Sequence, residues 1–426
     1  TMERTGTVYQ AYVQILKEEL VPAMGCTEPI ALAYCAAKAR EVLGCLPDRC
    51  QVRASGNIVK NVKSVIVPNT GGLKGIEAAC AAGAAAGDAS RVLEVIAGVT
   101  EEQKQGIREF LDRVPIEVAP LETEEILDMV VILSCEDSWA KVRIAGYHTN
   151  IVLIEKDGKV LYEKGVTADK EVSMADRSLL SIEGIYDFAK TACLEDVKEV
   201  LSRQIACNSA ISREGLNHDW GANIGSTLLK ACGNDVRTRA RAAAAAGSDA
   251  RMSGCEMPVI INSGSGNQGM TASLPVIEYA GELGASEEML YRALILSNLI
   301  TIHQKTGIGR LSAYCGAVSA GCGAGCGIAF LLGGDFKAIA HTLVNALAIV
   351  SGIICDGAKP SCAGKIAAAV DAGILGYDMY QNGQQFKGGD GIISKGVENT
   401  IINIGRLGKE GMKETDKEII RIMTGC

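Results

Sequence analysis

Residues 140–158, AKVRIAGYHTNIVLIEKDG, decide the fold class of this chain. Val142 and Ile144 alternate with Lys141 and Arg143, Ile151–Ile154 is rich in β-branched residues, and Lys156-Asp157-Gly158 marks a hairpin turn. The same texture extends outward to IEVAPL (116–121), VVILSCE (130–136) and KVLYEKG (159–165), and helix-like EEQKQGIREFLDRV (101–114) leads into it. These segments describe a small α+β domain, residues 96–204, inserted into a mainly α catalytic body made of residues 1–95 and 205–426. A polar, strand-like segment, RCQVRASGNIVKNVKSVIVPN (49–69), separates the helices of the first part.

Composition agrees with that division. Hydrophobic residues make up 48% of the 426, enough for a large core. Aromatics are only 4%, while glycines number 49 and alanine-rich runs recur, which suits closely packed helices better than a β-sandwich. The net charge of −8 and the absence of a Lys/Arg cluster argue against a nucleic-acid partner. The N-terminal stretch is amphipathic and acidic, without the basic and apolar regions of a signal peptide. The uncharged run Leu311–Leu332 is dense in Gly, Ser and Cys, and reads as core packing rather than a membrane span. A cytoplasmic protein is expected. Its 16 cysteines then read mostly as small buried hydrophobes rather than a disulfide scaffold.

Two groups of cysteines stand apart. Cys315, Cys322 and Cys326 share a face if LSAYCGAVSAGCGAGCGIAFLL (311–332) is helical. At about 1.5 Å per residue, Cys315 and Cys326 would then lie roughly 16 Å apart, too far for one small cluster. Either Cys315 is a ligand, or Cys322 and Cys326 act together, or all three pack. Cys355 and Cys362 flank a Gly- and Pro-containing loop in which two thiolates can converge on one metal. That spacing also fits two packing residues, and no C-x₂-C zinc pattern accompanies it.

An internal echo links VIVPNTGGLKG (65–75) to VIINSGSGNQG (259–269). Each places glycines before an alanine-containing helix, where exposed N–H groups can receive a carboxylate, or else form an ordinary tight turn. His218 beside Asp219 reads as a loop-orienting residue or a core pair, and His303 and His341 as structural.

These residues belong to a wider pattern: Met24-Gly25-Cys26-Thr27-Glu28-Pro29, Ser55-Gly56-Asn57-Ile58-Val59-Lys60-Asn61, Val67-Pro68-Asn69-Thr70-Gly71-Gly72, Gly146-Tyr147-His148-Thr149-Asn150, Asn217-His218-Asp219-Trp220-Gly221, Leu311-Ser312-Ala313-Tyr314-Cys315-Gly316 and Cys355-Asp356-Gly357-Ala358-Lys359-Pro360-Ser361-Cys362. Over nearly its whole length the chain resembles the L-cysteine desulfidase family, relatives of the iron–sulfur L-serine dehydratases. The resemblance implies a 4Fe-4S cluster on Cys315, Cys355 and Cys362, and Cys26 as catalytic base. It also implies a serine dehydratase-like β-domain in the inserted segment, although Tyr147 stands where the dehydratases have serine. The spacer between the last two cluster cysteines is shorter than theirs, which favours the desulfidase branch. Dimers are common among related folds, so a homodimer is one expected form.

The function implied is a lyase that converts L-cysteine to pyruvate, ammonia and hydrogen sulfide by β-elimination. Three thiolates leave one iron open as a Lewis acid, and sulfur as leaving group suits a thiolate-rich site. Cys26 needs thiolate character, and Pro29 suggests a helix N-terminus nearby to lower its pKa. Substrate-binding candidates are Ser55, Asn57, Asn61, Asn69, Thr70, His148, Thr149 and Asn150, with the Gly71–Gly72 and Ser263–Gly266 loops, and Lys60 and Lys74 for charge. Cys426 reads as a frayed terminus, or as a tail cysteine able to reach the open iron. Two alternatives stand beside this function: an L-serine dehydratase-type deaminase, and a non-catalytic cluster-binding or thiol-sensing protein. A pyridoxal phosphate lyase lacks a Schiff-base lysine context.

Overall fold

The stretch that opens the sequence forms two antiparallel strands, Ser138–Ala145 and Ile151–Lys156. Asp157 (φ 50°) and Gly158 (φ 82°) then turn the chain into Lys159–Glu163. Two consecutive positive φ values are what a two-residue hairpin turn requires, and Asp-Gly tolerates them. Alternation places Ala140, Val142 and Ile144 in the core.

The computed structural model describes residues 2–166, 174–309 and 312–426, so Leu311 of the quoted motif lies outside it. It is mainly helical with a small mixed sheet. Among the described residues, no helix is long and apolar enough to cross a membrane.

Two compact units emerge. One contains residues 2–25, 174–355 and 360–413; the other contains 26–166, 356–359 and 414–426. This cut differs from the one drawn on sequence texture at 95 and 204. The cause is the strand Arg49–Ala54, which lies inside the sheet, parallel to Ile116–Pro120 on one side and antiparallel to Asp128–Cys135 on the other. Residues before 95 are thus built into the same sheet as residues after it. The helix Ile182–Thr191, inside the expected insert, belongs to the other unit.

Within the sheet-containing unit, the helices Thr27–Leu43 and Ile76–Ala86 pack tightly together. A Cβ on Gly83 would stand 2.0 Å from the Ala33 carbonyl oxygen, so only glycine permits this approach. The helix Glu101–Arg113 starts at a capping box of Thr100 and Gln103. One expectation is corrected here: Ser55–Asn61 is not strand-like. Gly56–Val62 is a short helix whose Ile58, Val59 and Val62 recur at helical spacing and are fully buried.

The other unit is a stack of helices. Gly316–Leu331 lies against Cys362–Gln381 through Gly321 on Ala369 and Gly325 on Gly373, where added Cβ atoms would come within 2.5 and 2.6 Å of backbone. Cys322 and Cys326 are fully buried in this helix, and burial drives both thiols far up from their ordinary pKa. Both are placed as packing residues, which argues against the reading in which Cys322 and Cys326 act together.

Gly83→Ala is expected to destabilise the protein by about 1–3 kcal/mol through overpacking against Ala33. A denaturant titration of the variant checks this, and an unchanged midpoint would contradict the contact.

Candidate active site

The first cluster of candidates lies in the helical unit. Tyr314 and Ile354 form an isolated antiparallel bridge. The Cys315 N–H donates to the Ile353 carbonyl at 3.0 Å, and the Cys355 N–H donates to the Ala313 carbonyl at 2.6 Å. In an antiparallel pair, residues two apart face the same way, so Cys315 and Cys355 share a face as diagonal neighbours, about 7–8 Å apart.

Cys362 is brought alongside by helix packing. Cys315 caps Gly316–Leu331, and Cys362 is the first residue of Cys362–Gln381. Gly321 and Gly325, which touch Ala369 and Gly373, lie six and ten residues beyond Cys315, while their partners lie seven and eleven beyond Cys362. The helices therefore run parallel and their N-termini emerge side by side. Both positive dipole ends face the region of the thiols, which favours negative charge there.

Electrostatics agree with this grouping. The Cys315 thiol is pushed up to about 11, chiefly by burial, with the charges of Cys355 and Cys362 adding to it and the Ala317 N–H and Lys365 opposing. Lys365 also donates to the Ile354 carbonyl at 2.8 Å. A thiol held up by burial and by neighbouring thiolates, as Cys315 is, gives up its proton where positive charge is supplied, and a metal cluster would supply it. Among the described residues, no group of three or more His, Cys, Asp or Glu is arranged to hold a metal ion. Diagonal spacing is too wide for a single ion; a cluster would take its thiolates at separate corners, and Cys315, Cys355 and Cys362 are the residues that could hold one.

The second cluster of candidates lies in the sheet-containing unit. Cys26 is the N-cap of Thr27–Leu43, so the helix terminus expected near Pro29 is present. Its Sγ lies 3.0 Å from Glu28 Oε2 and 3.3 Å from the Asn61 carbonyl oxygen, either of which can accept its single S–H proton. His148 Nε2 stands 3.6 Å from Glu28 Oε1, beyond hydrogen-bond distance. Burial works to raise the Glu28 pKa, but interactions with His148 and Cys26 outweigh it and hold the carboxyl below its ordinary value. Sequence reasoning gave Glu28 no role, although it quoted the motif. An acid in the first turn of a helix ordinarily complements the dipole, so its spacing two residues from Cys26 was the only signal.

The substrate-binding candidates divide. Asn57 and Asn61 join this cluster, Asn61 Nδ2 donating to Asn57 Oδ1 at 3.1 Å. Thr149 and Asn150 follow His148 in the loop between two strands; Asn150 Nδ2 donates to Ala145 O at 2.7 Å, while its Oδ1 is buried without a partner. The other three are engaged in loop architecture. Ser55 donates to Ile126 O at 2.8 Å and accepts from the Asp128 N–H. Asn69 (φ 56°) donates to the carbonyls of Ile96, Ala97 and Val99, and buried Thr70 donates to Val67 O. Lys60 is paired with Asp416.

The remaining histidines are engaged within the fold. His303 Nε2 lies 2.7 Å from Glu398 Oε2, and the other Glu398 oxygen accepts the Ile182 N–H. His218 is exposed and paired with Glu214 at 3.1 Å, so it is no core residue. His341 stacks on Tyr380. Cys426 is exposed, at the end of the helix Lys413–Thr424.

Comparison with known proteins adds context. A family model described as serine dehydratase alpha chain matches residues 90–421, which include His148 and all three thiols of the first cluster. A UPF0597 protein of Desulfitobacterium hafniense is 64% identical over 422 residues, covering 99% of this chain and 98% of the relative. UPF0597 proteins of Lachnoclostridium phytofermentans and Fusobacterium nucleatum are 52% and 47% identical, covering 98% of this chain in each case and 100% and 99% of their own. Those spans also take in Cys26 and Glu28.

Glu28→Gln should remove a pH-dependent part of the stability. A lowered carboxyl pKa stabilises the fold above the ordinary carboxylate range, and that contribution is lost as pH falls through the folded value. The gap in melting temperature between wild type and variant should therefore close below about pH 4. A gap that is constant with pH would show that the Glu28 charge contributes nothing.

Proposed function

This chain belongs to the serine dehydratase alpha-chain family, and we propose that within it the chain is an iron–sulfur lyase acting on L-cysteine. The observation that carries this reading is the Tyr314–Ile354 bridge, which puts Cys315 and Cys355 on one face beside the N-terminus bearing Cys362. These three cysteines are the proposed ligands of a 4Fe-4S cluster. Bound by three thiolates, such a cluster has one iron without a protein ligand, a Lewis acid for a departing sulfur.

The protein's own residues supply the rest. Cys26 Sγ is the proposed base for the α-proton. To take that proton Cys26 must first be the thiolate, so the S–H proton it directs at Glu28 Oε2 is passed to Glu28 before the α-proton is removed; His148 Nε2 stands beside the other Glu28 oxygen. Asn57, His148 and Thr149 are the proposed donors to substrate. Loss of the α-proton with departure of HS⁻ from the β-carbon leaves aminoacrylate, which water converts to pyruvate and ammonia. A second reading, dehydration of L-serine by the same residues, is favoured by the family description over residues 90–421.

Anaerobic assays with both amino acids distinguish these readings: pyruvate and sulfide from L-cysteine, exceeding pyruvate from L-serine, is the expected result, and the reverse selects the dehydratase. Cys26→Ala should lose at least a hundredfold in rate, the lower range for a positioned acid or base, while retaining its iron. Reconstituted protein should hold about four iron and four sulfide per chain, and Cys362→Ser should hold less. Iron content that does not depend on Cys315, Cys355 or Cys362 would end this proposal.

A further inference from the structure

The loop 262–266, a candidate for binding substrate in the sequence, leads into the helix Gly266–Glu282, which reaches Gly316 beside Cys315. The loop turns through Ser263 (φ 50°) and Gly264 (φ 81°), and Asn262 and Ser265 exchange both backbone hydrogen bonds at 3.1 Å. Ser265 caps the helix by accepting the Gln268 N–H at 3.4 Å. Gln268 is only 7% exposed, and its Oε1 is fully buried with no hydrogen-bond partner. Its amide lies against Gly316, the residue after Cys315: a Cβ there would stand 2.3 Å from Gln268 Nε2 and 2.5 Å from Cδ. The neighbouring Asn267 Oδ1 is also buried and unpartnered, and its Nδ2 has only a long contact, 3.5 Å, to Met252 Sδ.

Two amide oxygens without donors are costly to bury, and native proteins pair such groups with a ligand or water. Beside them lie donors of the opposite kind. The first-turn N–H groups of Gly266 and Asn267 have no carbonyl of their own helix to meet. The Arg251 guanidinium rests against Gly266, where a Cβ would come within 2.4 Å of its Nε. The Gln268 and Asn267 oxygens as acceptors, with the first-turn N–H groups as donors, are the groups an ammonium and a carboxylate on adjacent atoms require, the head group of an α-amino acid.

We propose that Gln268, with Asn267, receives the α-ammonium group of the amino-acid substrate, whose carboxylate lies on the N-terminus of the Gly266–Glu282 helix. This rests on reading Cys315 as part of a reacting centre for small amino acids. It implies that the enzyme requires an α-amino group for binding, and that Gly316 is glycine in order to leave room for the Gln268 amide.

Calorimetry on cluster-loaded protein under anaerobic conditions tests this with three unreactive probes: L-alanine, propionate and ethylamine. Wild type should bind L-alanine more tightly than either partial analogue. Gln268→Met should weaken L-alanine at least tenfold and propionate less than twofold. Its melting temperature without ligand should be unchanged or higher, since a buried unpartnered amide has been replaced by an apolar isostere. Gln268→Glu, which keeps an acceptor, should bind L-alanine at least as tightly as wild type and propionate less tightly, and it decides the matter if the methionine variant does not fold. Absence of L-alanine binding, an unchanged affinity in Gln268→Met, or equal weakening of L-alanine and propionate would overturn the assignment. Failure of the lyase reading looks different: neither L-cysteine nor L-serine is consumed, while L-alanine binding still depends on Gln268.

Discussion

One antiparallel bridge between Tyr314 and Ile354 bears on every feature of the helical unit that matters chemically. It joins segments forty residues apart and sets Cys315 and Cys355 on a common face. An isolated bridge is weak by itself, since two backbone hydrogen bonds contribute little net stability in water. It persists because both segments are anchored. Tyr314 is 1% exposed, and Cys315 continues directly into a helix whose Cys322, Cys326 and alanines are buried. The Lys365 ammonium adds a further tie to Ile354 from the neighbouring helix.

The small residues of Gly316–Leu331 follow from the same demand. Two helices whose N-termini must emerge together have to run parallel and close, and side chains at Gly321 or Gly325 would separate them. The Gly- and Cys-rich composition of the run is therefore the condition for bringing Cys315 and Cys362 together. Lipid contact is not needed to explain its lack of charge, because the surroundings of this helix are other helices.

Much of this was legible in the sequence, for identifiable reasons. The hairpin at Lys156-Asp157-Gly158 was readable because positive φ at two successive residues selects so few residue types. The separation of Cys315 from Cys326 was readable from helical rise alone. What could not be read depends on contacts between distant segments. Arg49–Ala54 looks like an isolated strand until its partners at 116–120 and 128–135 are known. Ser55, Asn69 and Thr70 have the residue types of ligand donors, yet serve the turns around them. Glu28, to which sequence reasoning assigned no role, meets Cys26 and His148. Residue type alone does not distinguish a polar side chain that holds a loop from one that remains open to a ligand.

The division of the chain has a consequence for how the protein is made. Residues 414–426 belong to the same compact unit as residues 26–166, and Asp416 pairs there with Lys60, which is nearly buried. A Cβ on Gly56 would meet Ile420, so the late helix also occupies a specific place on an early one. On the ribosome, the early unit must therefore wait with Lys60 unpaired while roughly 250 intervening residues are synthesised, on the order of ten seconds or more at typical elongation rates. High sequence separation of this kind slows folding and prolongs the exposure of apolar surface. The sheet-containing unit, most of which is made early, is not complete until residues 414–426 have followed the helical unit's last segment.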